Sequence, residues 1–148
     1  MSANDGPIKF TSRSGETYEG GWKDGLMHGQ GKFTHPDGDT YEGEYVGGKM
    51  HGKGKMTYAG GDIYDGEFAN GKMNGQGVHE EEDGTTYRGG WKDGRKDGQG
   101  VHEEADGTTY EGGWKDGRMH GQGTFTHTDG RIFKGMFVKG EFPPQSHT

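Results

Sequence analysis

The sequence predicts an all-β fold: an elongated, twisted single-layer antiparallel sheet of about twelve strands, built from tandem 23-residue hairpin repeats. Three observations predict it. Tyr18, Tyr41, Tyr64, Tyr87 and Tyr110 recur every 23 residues, and Phe133 takes the sixth place. Behind each comes a glycine (Gly20, Gly43, Gly66, Gly89, Gly112, Gly135) and then a second aromatic (Trp22, Tyr45, Phe68, Trp91, Trp114, Phe137). Finally, AVILMFWYC residues make up only 24% of a chain with 34 glycines, too few side chains to fill two thick packed layers. Regularly placed aromatics also argue against disorder, despite a mean hydropathy of -1.19.

The elements follow in order. Residues 1–7 read as an N-terminal tail and 8–17 as a half repeat, because Phe10 precedes Tyr18 by the same eight residues that separate Phe33 from Tyr41. Five full repeats occupy 18–132, a second half repeat 133–142, and a C-terminal tail 143–148. At ~4.8 Å per strand the sheet would extend roughly 50 Å. Phe142-Pro143-Pro144 reads as a cap, since proline cannot donate to a further ladder.

Two turn signals divide each repeat. Asp24-Gly25, Gly47-Gly48, Asn70-Gly71, Asp93-Gly94 and Asp116-Gly117 suit two-residue type I′ turns, in which both central residues have positive φ. Pro36-Asp37-Gly38, Gly60-Gly61 and the Asp-Gly pairs at 83–84, 106–107 and 129–130 suit a three-residue loop with glycine in the left-handed position. Counting from these loops sets Trp22 opposite Met27, Gly20 opposite Gly29, Tyr18 opposite Gly31 and Phe33 opposite Tyr41. Side chains alternate along a strand, so Tyr18, Trp22, Met27, Phe33 and Tyr41 share one face, and Glu19, Gln30 and Lys32 take the other. Glycines beneath the rings would let them lie across the neighbouring backbone.

The copies differ. His79 and His102 stand where other repeats carry Phe33, Met56 and Phe125, and Asn74 and Asp97 where others carry His28, His51 and His120. Stretches 77–94 and 100–117 are nearly identical, pointing to tandem duplication. The middle of the sheet is therefore expected to be more acidic and less apolar than its ends.

The motif Y-E-G-x-W-x-x-G-x-x-H-G-x-G, seen as YEGGWKDGLMHGQG at 18–31, YEGEYVGGKMHGKG at 41–54 and YEGGWKDGRMHGQG at 110–123, resembles the MORN (membrane occupation and recognition nexus) repeat. The resemblance spans about 8–142. Departures are Asn74 and Asp97 at the usual histidine, and Asp65 and Arg88 at the usual glutamate. The resemblance implies a protein-binding scaffold of the kind found in cytoskeletal, flagellar and membrane-junction assemblies. It also carries a proposal of phospholipid binding.

Other chemistry is disfavoured. Without cysteine there is no disulfide, thiolate nucleophile or cysteine metal cluster. His28, His51 and His120 share a repeat position, but neighbouring copies would lie two strands, about 9.5 Å, apart and cannot share a zinc ion. Glu44 is instead expected to face His51. The Asp-Gly loops lack the ligand series of a calcium-binding loop. Serine occurs only at Ser2, Ser12, Ser14 and Ser146, outside the full repeats, so a serine triad is implausible. With no cleft to shift carboxylate pKa values, no enzyme and no cofactor are expected. The net charge of -7 opposes nucleic acid, and the run Glu80-Glu81-Glu82-Asp83 reads as a solvated strand end. A missing signal peptide and membrane span favour a cytoplasmic protein, cytoskeleton- or membrane-associated by the resemblance.

The expected function is a non-enzymatic scaffold that presents its aromatic face to an extended or helical partner segment. Its expected contact residues are Trp22, Tyr41, Tyr45, Tyr64, Phe68, Tyr87, Trp91, Tyr110 and Trp114, rimmed by Arg88, Arg95 and Arg118. One alternative is a phospholipid-associated module using Lys23, Lys32, Lys49, Lys53, Lys55 and Lys72, although the net charge opposes membrane lipid. Another is self-assembly, with a face-to-face homodimer burying the rings.

Overall fold

The computed structural model describes residues 4–141. Its strands are β1 (Asn4–Thr11), β2 (Thr17–Lys23), β3 (Leu26–Thr34), β4 (Thr40–Val46), β5 (Lys49–Thr57), β6 (Ile63–Ala69), β7 (Lys72–Glu80), β8 (Thr86–Lys92), β9 (Arg95–Glu103), β10 (Thr109–Lys115), β11 (Arg118–Thr126) and β12 (Ile132–Phe137). They form one open antiparallel sheet in strict chain order, as the repeat reading expected. Pairing begins at Asn4, inside the segment read as a tail.

Both turn assignments hold. Asp24 and Gly25 have φ of 51° and 78°, and the other four tight turns likewise have two positive angles. A sixth such turn, Lys139-Gly140, has a lysine where the other five have Asp, Asn or Gly, and so gave no signal in the sequence. At the wide loops, the His35 N–H donates to the Asp39 carbonyl (2.8 Å) and the Gly38 N–H to the His35 carbonyl (3.0 Å), with Gly38 at φ 106°. This is the expected three-residue loop closed on a left-handed glycine. The Phe142-Pro143-Pro144 cap lies outside the described residues.

Side chains fall into rows that cross the whole sheet. One runs Tyr18, Phe33, Tyr41, Met56, Tyr64, His79, Tyr87, His102, Tyr110, Phe125. The neighbouring row, on the opposite face, begins Lys9, Glu19, Lys32, Glu42, Lys55, Asp65, so unlike charges alternate across it. A third row is glycine from Gly20 to Gly135.

The register corrects one expectation. Trp22 does face Met27 and Phe33 does face Tyr41, but Gly20 pairs with Gly31 and Tyr18 with Phe33. Between Gly20 and Trp22 the pairing slips, so β3 spends two more residues than β2 over the same span. The slip recurs at Gly43/Tyr45, Gly66/Phe68, Gly89/Trp91 and Gly112/Trp114. It is a bulge, and bulges bend strands. Counting from turns assumes an unbroken ladder, so it could not show this.

The bend closes toward the rings. The Tyr18 hydroxyl donates to the Gly21 carbonyl of its own strand at 2.7 Å. Tyr41, Tyr64, Tyr87 and Tyr110 make the same bond to Glu44, Glu67, Gly90 and Gly113 at 2.8–3.0 Å. A side chain standing perpendicular to a flat strand points away from its own backbone, so these bonds require the strand to fold over the ring. Since every short strand bends at the same level, the sheet becomes a trough with the rings inside it.

Candidate functional site

The inside of the trough holds a continuous ladder of rings. Trp22, Tyr18, Tyr45, Tyr41, Phe68, Tyr64, Trp91, Tyr87, Trp114, Tyr110 and Phe137 follow one another with centroids 4.9–6.0 Å apart. All contacts but the Trp22 one are edge-to-face, the geometry favoured by ring quadrupoles and worth roughly 0.5–1.5 kcal/mol per pair beyond burial. The Trp91 and Trp114 indoles add Nε1–H bonds to the Gly77 and Gly100 carbonyls of the preceding repeat.

Eight of the nine expected contact residues are buried in this ladder, from Tyr64 at 0% exposure to Trp114 at 8%; Trp22 is half-buried. The rings are thus the floor of the trough. The surface above them belongs to side chains of the long strands: Met27, Phe33, Met50, Met56, Met73, Met119 and Phe125 pack against the ladder while partly exposed. The repeat made these residues visible in the sequence, but without the bend nothing distinguished floor from surface.

Three cavities lie along this face. One of about 190 Å³ lies among Met27, Phe33, Tyr41, Tyr45, Met50 and Met56. One of about 480 Å³ is lined by Met73, Trp91, Lys96, Asp62, His79 and Glu81. A third, about 320 Å³, lies among His102, Tyr110, Trp114, Arg118, Met119 and Phe125. The trough is therefore apolar in its first repeats and mixed around His79, Lys96 and His102, as the irregularities there led one to expect, and Met119 and Phe125 bring apolar side chains back in the last repeat.

Lys96 interrupts the methionine row. Its ammonium sits 4.9 Å from the ring centroids of both Tyr87 and Trp114, a double cation–π contact. Burial lowers its pKa, and Glu81 partly offsets that. His102 lies against Trp114, its Nδ1 buried without a partner. Burial, then the charge of Lys96, holds this imidazole below the ordinary histidine range. His79 reaches Asp62 at 3.6 Å.

Of the expected rim, Arg95 and Arg118 line trough cavities. Arg88 does not: it pairs with Val78 and Val101 on the outer face and lines a cavity there with Lys53, Asp65 and Glu67. Glu44 does not engage His51 either. Its carboxylate caps the Lys53 N–H (2.6 Å), as Glu67 caps that of Gln76 (2.6 Å), across the bulge. The lysine cluster in the first half is broken up, with Lys32 and Lys55 lying between acidic residues of adjoining strands. Among the described residues no three His, Asp or Glu side chains are placed to hold a metal ion, and no helix is long and apolar enough to cross a membrane.

No curated protein sequence matches the chain. Among solved structures, the SAS-4 TCP domain of Drosophila melanogaster, in complex with a proline-rich motif of Ana2, shows 16% identity and a TM-score of 0.48. That match covers 88% of this chain and 78% of the other. A virginiamycin B lyase from Staphylococcus aureus, with quinupristin, shows 15% identity and a TM-score of 0.22, covering 97% of this chain and 43% of the other. Neither likeness informs the function of this chain. The MORN repeat profile, in contrast, matches five abutting segments, 18–40, 41–63, 64–86, 87–109 and 110–130. These are the units delimited by the tyrosine ladder and its bulges, and the chain belongs to the MORN repeat family.

Proposed function

We propose that the chain is a non-enzymatic scaffold that receives an extended or helical segment of a partner protein along its trough. MORN repeats suggest a protein-interaction scaffold in general. The observation that carries the finer reading is the file of cavities on one face, floored by a rigid ring ladder and walled by methionines. Methionine is unbranched and polarizable, and adapts to apolar partners. A rigid floor keeps the cost of ordering on the partner's side.

Ladder rings are poor test positions, because truncating a buried ring also costs the sheet about 3–5 kcal/mol of stability. The wall is the better target. Met27→Lys, Met50→Lys and Met119→Lys together change partly exposed side chains and leave the ladder whole. Peptides selected from a display library on the native chain are expected to lose binding to this variant by roughly a hundredfold or more, equivalent to two wall contacts of about 1.4 kcal/mol each, while the β-type circular dichroism is unchanged. Equal binding to both proteins would remove the trough as the docking site.

A further inference from the structure

Every tight turn lies along one long edge of the sheet and every three-residue loop along the other, and these edges carry opposite charge. The six hairpin tips (22–27, 45–50, 68–73, 91–96, 114–119, 137–141) hold nine Lys/Arg against four Asp/Glu, a net of +5. The six loops (11–17, 34–40, 57–63, 80–86, 103–109, 126–132) hold two Arg against twelve Asp/Glu, a net of -10. Because each short strand bends toward the rings, both edges come forward as the rims of the trough. The densest charge on the two rims lies within one strand of the same level: Lys92, Arg95, Lys115 and Arg118 at the β8–β9 and β10–β11 turns, and the acidic runs 80–83 and 103–106 at the β7–β8 and β9–β10 loops. Those four basic side chains are exposed, and none pairs with an acid within the described residues.

We propose that a second copy of this chain docks trough to trough, related by a two-fold axis parallel to the length of the sheet. That rotation keeps the two sheets parallel end to end and exchanges the rims, so each basic rim lies on the other copy's acidic rim. Charge maxima then meet twice over, each within one strand spacing (~4.8 Å) of its opposite. A two-fold axis along the strands would set basic on basic, and a back-to-back arrangement would hold the rims apart. The contact is closed, so assembly stops at two. Eleven strand spacings of ~4.8 Å make each rim about 53 Å long, and a strip one side chain wide on both rims offers on the order of 800 Å² per copy, the size of a standard interface. The interface is electrostatic and therefore salt-dependent. It does not rest on the partner-segment reading above, and because the joined rims close over the trough, a segment held there would compete with the second copy.

Sedimentation velocity on the full chain and two charge-reversed variants tests this. The native chain is expected to dimerise at 50 mM NaCl, with a dissociation constant at least about tenfold weaker at 300 mM. The tip variant Lys92→Glu/Arg95→Glu/Lys115→Glu/Arg118→Glu and the loop variant Glu81→Lys/Glu82→Lys/Glu103→Lys/Glu104→Lys are each expected to stay monomeric, with native circular dichroism. Mixed together, they should form a one-to-one dimer. A native chain that is monomeric at low salt, a mixture that fails to associate, or growth into open-ended polymers would overturn the proposal. So would a monomer whose tip variant alone loses binding to vesicles of anionic phospholipid, since the basic rim would then be a membrane-docking edge.

Discussion

At the scale of single residues, the tyrosine of each repeat does three jobs. Its ring fills the ladder, its hydroxyl satisfies the carbonyl that the bulge frees, and its position requires glycine on the facing strand. A Cβ on Gly77 would overlap the Tyr64 hydroxyl and ring, and the same holds for Gly31, Gly54, Gly100 and Gly123. Gly77→Ala is therefore expected to cost about 1–3 kcal/mol, the range for overpacking a tight site. Tyr64→Phe removes only the bond to the Glu67 carbonyl and is expected to cost about 1 kcal/mol. Urea unfolding of both variants checks the order: a larger loss for Tyr64→Phe would assign the bulge, and not the packing, as the stronger constraint. Gly29, which also stands in the sequence motif, serves differently. It has open space around it and a φ of 79°, so its role is the turn of the bulge and not ring contact.

The titratable groups at this scale give the fold limits on both sides of neutrality. The pKa of His102 is depressed from its ordinary 6.5, so only the unfolded chain takes up this proton just below that pH. Its contribution is full above about pH 6.5 and is lost as pH falls through the depressed value. His102→Phe, which copies Phe33 and Phe125, is expected to abolish that part of the acid slope in melts between pH 7 and 5. Burial pushes Tyr41 and Tyr87 up to about 12, and raises Tyr18, Tyr45, Tyr64 and Tyr110 as well. Their folded pKa values lie above the unfolded value of 10.0, so stability is complete below pH 10 and is lost as pH rises through the folded values. Phenolate absorbance should accordingly appear together with the loss of β-type circular dichroism, and not before it.

At the scale of the element, the unit is a hairpin whose second strand is longer than its first. Seven-residue strands bring the rings and nine-residue strands arc around them with the methionines, from β2 through β11. The two strands need each other, and each repeat needs the next: Tyr64 lies between Phe68 of its own repeat and Trp91 of the following one. Deleting 64–86, one whole period, joins equivalent positions and should leave a cooperative fold of lower stability, as nearest-neighbour repeat arrays behave. Deleting 64–74 removes a short strand and its bulge without the long strand that answers it, and should abolish the cooperative transition. Thermal melts of the two deletions compare them directly; equal melting temperatures would mean that the hairpin is not the cooperative unit.

For the whole molecule, the array has a polarity that no single repeat shows. One rim is basic and the other acidic, the outer face alternates in charge over its first six strands, and the trough is apolar at both ends and mixed in its middle. These asymmetries make the two rims and the two ends of the array distinct. An overall charge of -7 hides this, because it sums two rims of opposite sign.

The 23-residue period, the two turn types and the alternation of side chains were legible in the chain by itself, and so were the ring positions and the pairing of Phe33 with Tyr41. Each depends on local backbone chemistry: a left-handed dipeptide, a loop of odd length, a strand's two-residue alternation. The bulge, the trough, the burial of the very rings expected to meet a partner, and the assignment of Glu44 to Lys53 were decided only in the folded sheet. All of them follow from a slip between strands whose lengths differ by two residues, and such a mismatch is a relation between neighbours that no one strand's residues record.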